Sequence, residues 1–190
     1  GRSGVGYTTV NYNAPVSANG TVGFQAGSTF KAFTIGAAFK MGWDPFKVIN
    51  APAKKEFKDF RECGTGDKFA PYSVRNSTGS GAFDIFSGAA FSVNTYFVGL
   101  EEKIGLCEPL AIAKASGVQQ GDGQDFAGYP CFTLGCFDVT TLDLTEGMAT
   151  FAAHGVHCNS IAISAITDRY GNELEVPSAD CMQKIDVEVA

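Results

Sequence analysis

The chain has 190 residues, 45% of them hydrophobic and 18% charged, and carries a formal net charge of -6. That size suits one sizeable core, and the composition excludes a disordered chain. The negative balance argues against nucleic acid as a partner, because phosphate binding needs clustered Lys and Arg.

Residues 1–23 are rich in Gly, Asn, Ser and Thr and read as loop, with a short strand near Tyr7–Val10. A helix fits Ser28–Lys40. At about 100° per residue, Ser28, Lys31, Ile35 and Phe39 share one face, and Phe30, Phe33 and Ala37 the opposite one. A helix apolar on both sides runs through the middle of a domain. Residues 41–82 are loop-rich, with Pro45, Pro52 and Pro71, and a short helix is expected over Lys54–Phe60. The only dense basic stretch, Lys54, Lys55, Lys58 and Arg61, is interleaved with Glu56, Asp59 and Glu62 and reads as a solvated helical face. Trp43, Phe39 and Phe46 read as core. Asp84–Phe91 is a short apolar segment.

Thr95–Ile104 is a helix: Tyr96, Phe97, Leu100 and Ile104 recur at helical spacing, and Gly105 supplies the stop. Pro109–Ser116 makes another, ending at Gly117, and Gly121–Gly128 is loop. Thr141–Ala153 is the last helix, with a capping box expected from Thr140 and Asp143. Ile161–Thr167, the turn residues Asp168–Asn172 and Glu173–Val176 then signal a hairpin. Helices first and a hairpin late point to an α+β fold with an antiparallel sheet. His154 and His157 read as a helix-end and a loop residue.

No apolar run reaches the roughly 18 residues of a membrane span, and no signal peptide opens the chain. Gly1 begins inside a Gly-rich stretch, so the natural N-terminus is expected elsewhere. Six cysteines are present, with neither paired CxxC motifs nor clustered His for a metal. Disulfides are favoured over free buried thiols. Cys131 with Cys136 would close a short loop, Cys158 with Cys181 would clamp the hairpin ends, and Cys63 with Cys107 follows by elimination.

Two short motifs carry chemistry. In Ser28-Thr29-Phe30-Lys31, the Ser and Lys share a helix face. A hydroxyl needs a partner to take its proton, and a lysine serves once burial lowers its pKa. The first-turn position also favours negative charge developing at Ser28. Alone the pattern is weak, since on the order of one match arises by chance in a chain this long. A capping Ser followed by a surface Lys is the alternative, but Lys31 shares its face with Ile35 and Phe39. In Ser92-Val93-Asn94, the Ser can relay a proton and the Asn amide can hold a lysine and bind a substrate carbonyl. Ser and Asn are also common just before a helix.

Both motifs in this order bring in a resemblance. Gly27-Ser28-Thr29-Phe30-Lys31-Ala32-Phe33 resembles the active-site stretch of penicillin-binding proteins, and Phe91-Ser92-Val93-Asn94-Thr95-Tyr96-Phe97 their second motif. Thr140–Leu144 with Met148–Gly155 is similar to the helix before their late hairpin, and Asp168-Arg169-Tyr170-Gly171-Asn172 to that hairpin's turn. The Phe24-Gln25-Ala26-Gly27 lead-in and the cysteines look most like the bifunctional (class A) actinobacterial type. The resemblance implies a β-lactamase/transpeptidase-like fold, an antiparallel sheet flanked by helices. It also implies a DD-transpeptidase that forms an acyl-enzyme on Ser28 from a D-Ala-D-Ala stem peptide of peptidoglycan. An amine of a neighbouring strand then accepts the acyl group, and β-lactams block Ser28. Lys31 would be the base, Ser92 the proton relay to the leaving group, Asn94 the positioning group, and the Ser28 N–H one oxyanion donor. No cofactor or metal is needed. Such an enzyme works on the cell-wall side of a membrane, anchored through a segment outside this chain.

The family's third motif, Lys-Thr-Gly or Lys-Ser-Gly, has no match; Lys103-Ile104-Gly105 has the wrong middle residue. The expectation is therefore that residues 1–190 are the central part of a single transpeptidase domain. Its first and last strands, and the third motif, would come from the remainder of the same protein. Rival readings are a serine β-lactamase or DD-carboxypeptidase, and a non-catalytic β-lactam sensor or cell-wall assembly scaffold. The sequons Asn19-Gly20-Thr21 and Asn76-Ser77-Thr78 carry little weight.

Overall fold

Phe24–Gln25 (β1) is the first strand of the computed structural model, which describes residues 4–190. The strand expected near Tyr7–Val10 does not form. Thr8 Oγ1 accepts from the Val10 amide and Asn11 Oδ1 from the Asn13 amide, so local side-chain bonds take the donors a ladder would use. The first three residues of the expected loop lie outside the described residues.

A 3-10 turn, Gly27–Phe30, leads into α1 (Lys31–Lys40), so the expected helix is present with its first turn wound tighter. Phe30, Phe33, Ala37 and Ala38 are buried, and Ile35 and Phe39 partly so. Phe30 meets Phe33 and Phe126 edge-on, with ring centroids 5.2 and 5.4 Å apart, and lies 5.1 Å from Phe132. Burying one such ring contributes roughly 1.5–3 kcal/mol, and this cluster fixes the start of α1 inside the main core.

Four short strands occupy the stretch expected to be loop-rich: β2 (Ile49–Ala51), β3 (Lys54–Phe57), β4 (Tyr72–Arg75) and β5 (Gly81–Phe83). The helix expected over Lys54–Phe60 is replaced by β3, which pairs antiparallel with β4 from Lys54↔Arg75 to Phe57↔Tyr72. Phe57 packs with Phe60, Val74, Val98 and Leu106 in a second apolar cluster. An extended backbone puts Phe57 there while leaving Lys54 and Glu56 exposed. The basic stretch is thus a strand and the loop after it, not a helical face.

The helices α2 (Ile85–Ala90), α3 (Asn94–Ile104) and α4 (Cys107–Ala115) follow. Asp84 and Ser87 form a complete capping box on α2, and Gly105, with φ of 81°, ends α3. Next come β6 (Asp138–Val139), α5 (Thr141–Ala152) and β7 (Val156–His157). Only half of the capping box expected on α5 is made. Thr140 Oγ1 accepts from the Asp143 amide, but Asp143 Oδ2 is buried without a partner among the described residues, and burial raises that carboxyl's pKa. His157 lies in β7, not in a loop, with Nδ1 3.2 Å from Thr150 Oγ1.

The hairpin shrinks to β8 (Ile166–Thr167) and β9 (Glu173–Leu174) around the expected turn. Asp168 closes that turn, accepting from the Tyr170 and Asn172 amides. The longer arms do not form, because Ile161 and Ile163 have no apolar surface to cover and stay exposed. Finally β10 (Met182–Gln183) pairs with β7. Every ladder is antiparallel, as the α+β reading requires, but among the described residues the strands pair only in twos.

The three disulfides join Cys63 to Cys107, Cys131 to Cys136 and Cys158 to Cys181, as read from the sequence. The first ties the β3–β4 connection to the start of α4 across 44 residues. Closing a loop of that length removes about 4 kcal/mol of unfolded-state entropy. A Cys63→Ser/Cys107→Ser variant should lose stability of that order in urea unfolding. An unchanged midpoint would show that this link is energetically idle.

Candidate active site

The Gly27–Phe30 turn presents Ser28 at the head of α1, and Lys31 follows one turn later. The Ser92-Val93 segment, entering α3 at Asn94, lies opposite. These elements meet at one atom. Lys31 Nζ is 3.0 Å from Ser28 Oγ and 2.8 Å from each of Ser92 Oγ, the Ser92 carbonyl oxygen and Asn94 Oδ1. All four residues named from the two motifs therefore converge.

Lys31 is only 5% exposed. Burial lowers its pKa from 10.5 to about 8. At pH 7 roughly a tenth of such a lysine is neutral, against about one part in three thousand at 10.5. The hydrogen-bond count fits a base in this state. A neutral amine has two N–H donors and one lone pair. The Ser92 carbonyl and Asn94 Oδ1 can only accept, so they take the two donors. The lone pair is left facing the two hydroxyls, Ser28 and Ser92. The Phe97 ring, 5.3 Å from Nζ, covers the amine from the α3 side.

Three further features hold this arrangement, and none was legible in the sequence. Ser92 sits at φ 50°, a left-handed conformation uncommon for a residue with a side chain. It lets Ser92 aim both its carbonyl and its hydroxyl at the same amine. Such a conformation costs roughly 1–2 kcal/mol, which the surrounding contacts must offset. Asn94 is fixed by a second bond, from Nδ2 to the Arg75 carbonyl at 3.1 Å, so its amide oxygen faces Lys31. Asn76 supports the same corner. It accepts from the Thr95 amide at 2.8 Å and donates to the Pro52 and Gly79 carbonyls. The only sequence signal at Asn76 was a chance sequon, and its side chain is taken up inside the fold.

The lead-in to Ser28 is zipped to a distant segment. Phe24↔Val139 and Gln25↔Asp138 pair as β1 and β6. The Ala26 amide then donates to the Phe137 carbonyl (3.1 Å) and the Gly27 amide to the Gly135 carbonyl (3.0 Å). Gly27 and Gly135 have φ of 61° and 65°, and a Cβ on Gly135 would overlap the Gly27 backbone. Glycine is required there by close approach as well as by conformation.

A separate cavity of about 530 Å³ lies between α4 and α5, bordered by Leu110, Lys114, Val118, Asp143 and Glu146. None of the four converging residues lines it. Among the described residues no group of His, Cys, Asp and Glu could hold a metal, and no helix is long and apolar enough to cross a membrane.

Residues 8–187 match the penicillin binding protein transpeptidase domain family. Penicillin-binding protein 1A of Aquifex aeolicus (strain VF5) is 27% identical over 157 residues, which is 83% of this chain and 20% of that protein. Among solved structures, the penicillin-binding protein PonA1 of Mycobacterium tuberculosis superposes with a TM-score of 0.69 at 20% identity. That match covers 100% of this chain and 47% of the other. The imipenem acyl-enzyme complex of penicillin-binding protein A from M. tuberculosis gives 0.66 at 17% identity, covering 87% of this chain and 41% of the other. The chain shares their fold and spans a fifth of the curated relative's length and less than half of these solved chains.

Proposed function

The chain belongs to the penicillin binding protein transpeptidase domain family, and from that premise we propose that it is the central part of a peptidoglycan DD-transpeptidase with Ser28 as its nucleophile. The observation that carries the reading is the convergence of Ser28, Ser92 and Asn94 on one buried lysine amine.

Neutral Lys31 takes the Ser28 proton as Oγ attacks the carbonyl of the penultimate D-Ala in a stem peptide. The Ser28 amide, in the first turn and without an intrahelical acceptor, is one oxyanion donor. Ser92, hydrogen-bonded to the same amine, passes a proton to the departing D-Ala nitrogen. Asn94 holds Lys31 and offers its amide to the substrate. An amine of a second stem peptide then attacks the ester and releases Ser28. A β-lactam enters as the donor does, but its leaving amine stays tethered, so the ester persists. The remainder of the same protein supplies the Lys-Thr-Gly motif. The bifunctional, actinobacterial type is the proposed subclass, on the Phe24–Gly27 lead-in and the cysteines. The three disulfides support placement on the cell-wall side of the membrane, with the anchoring segment outside residues 1–190.

Intact-mass measurement on the natural polypeptide that carries this chain tests the reading. A stable increment equal to one whole penicillin is expected. Rapid return to the unmodified mass with hydrolysed drug in solution would identify a β-lactamase. Failure to acylate at any drug concentration would leave the non-catalytic scaffold.

A further inference from the structure

Ser28 and Asn94 sit on different helices, and their relative position must be held to fractions of an ångström for proton transfer to work. The Phe132–Leu134 3-10 turn touches both helices and the nucleophile's lead-in. Its Thr133 amide donates to Glu101 Oε1 of α3 at 3.0 Å. Its Thr133 hydroxyl shares a 2.8 Å bond with the Thr34 hydroxyl of α1, one turn beyond Lys31. Gly135, just after it, accepts from the Gly27 amide, next to Ser28. The Cys131–Cys136 disulfide closes this turn on itself.

We propose that the disulfide-closed Phe132–Leu134 turn is a positioning element for acylation, with Glu101 as the positioning residue that fixes it to α3. It sets the register of the Ser28 turn against the helix that bears Asn94. The inference rests on the reading of Ser28 as nucleophile and extends it to residues that touch no substrate.

Glu101 is an unexpected residue for a purely apolar site. It is 0% exposed, and burial pushes its carboxyl well above the carboxylate range. Its Oε2 has no partner among the described residues. A neutral acid in this place contributes one acceptor, and that acceptor serves the Thr133 amide. Leucine would fill the α3 position without the acceptor, and glutamine would keep it at the same size and charge. An element of this kind acts on the bond-making step. None of its hydrogen bonds goes to Lys31 Nζ itself.

The test separates the acylation rate constant from the reversible binding constant for a fluorescent penicillin, on the natural polypeptide, with melting recorded for each variant. Glu101→Leu should acylate at least tenfold more slowly, with reversible binding within twofold of wild type and the pH midpoint still at about 8. Glu101→Gln should restore the rate to within threefold. A folded Glu101→Leu that acylates at the wild-type rate overturns the proposal, as does a Glu101→Gln that is equally slow. A midpoint that climbs toward 10.5 would mean general loosening around Lys31 and would also overturn it. Should Glu101→Leu fail to fold, Cys131→Ala/Cys136→Ala decides by the same split, since it leaves α1 and α3 unchanged. A Ser28→Ala control keeps the two claims apart. Labelling that survives in the control defeats the assignment of Ser28. Labelling confined to Ser28, with wild-type rates in the network variants, defeats this inference alone.

Discussion

A Ser28→Ala protein should form no covalent adduct with a fluorescent penicillin while melting as the wild type does. Removing a nucleophile that acts in concert with its base lowers rate on the order of 10⁶-fold, which places acylation below detection. The fold is expected to survive, because Ser28 is one of several hydrogen-bond partners of Lys31 Nζ, and the amine keeps the Ser92 carbonyl, Ser92 Oγ and Asn94 Oδ1. The Ser28 side chain makes no contribution to the aromatic cluster around Phe30. Gel fluorescence and intact mass read the adduct, and circular dichroism reads the fold. An adduct on Ser28→Ala would move the chemistry to another side chain.

Lys31→Met should slow acylation by about 10²–10⁴-fold, the usual contribution of a positioned general base, with reversible drug binding retained. Methionine keeps the bulk of the stem and removes the amine. The Ser92 carbonyl and Asn94 Oδ1 lose their donor, at about 1–3 kcal/mol for buried groups, so melting is measured beside the rate. The pH profile distinguishes a base from a structural lysine. Burial disfavours the ammonium form, so the pKa falls from 10.5 to about 8, and the active neutral amine appears as pH rises. Wild-type acylation should therefore climb with pH through about 8 and level off above it. Lys31→Met should show no such step. A wild-type rate that is flat between pH 6 and 9 would remove Lys31 from the role of base.

The four converging residues were legible in the sequence because each lies within a short motif, and the two motifs in that order resemble those of one family. Ser28 and Lys31 are three apart on a helix, and Ser92 and Asn94 flank a helix start. The odd burial of Lys31 was legible too, since it shares a face with Ile35 and Phe39. Two disulfide pairs followed from chain distance and the hairpin, and Cys63–Cys107 by elimination. What stayed hidden depends on residues far apart in the chain. No local pattern marks Ser92 as left-handed, and none ties Asn76 to Thr95 or Glu101 to Thr133. The misreading of Lys54–Phe60 has the same origin. Its charge spacing suits a helix, but pairing with Tyr72–Arg75 and the apolar cluster under Phe57 override that preference. The hairpin arms erred the other way: a β-branched run needs a surface to cover, and Ile161 and Ile163 find none.

The pairing of Phe24–Gly27 with Gly135–Val139 has a consequence for how the site comes into being. More than a hundred residues separate the two segments, so their closure is a slow, non-local step relative to forming α1 or α3. The serine and lysine precede residue 139 in the chain, so the ladder that zips the serine's lead-in can form only after residue 139 has been made and folded back. If Ser28 is the nucleophile as proposed, reactivity toward penicillin would be acquired late, and acylation would report that this long-range pairing has formed.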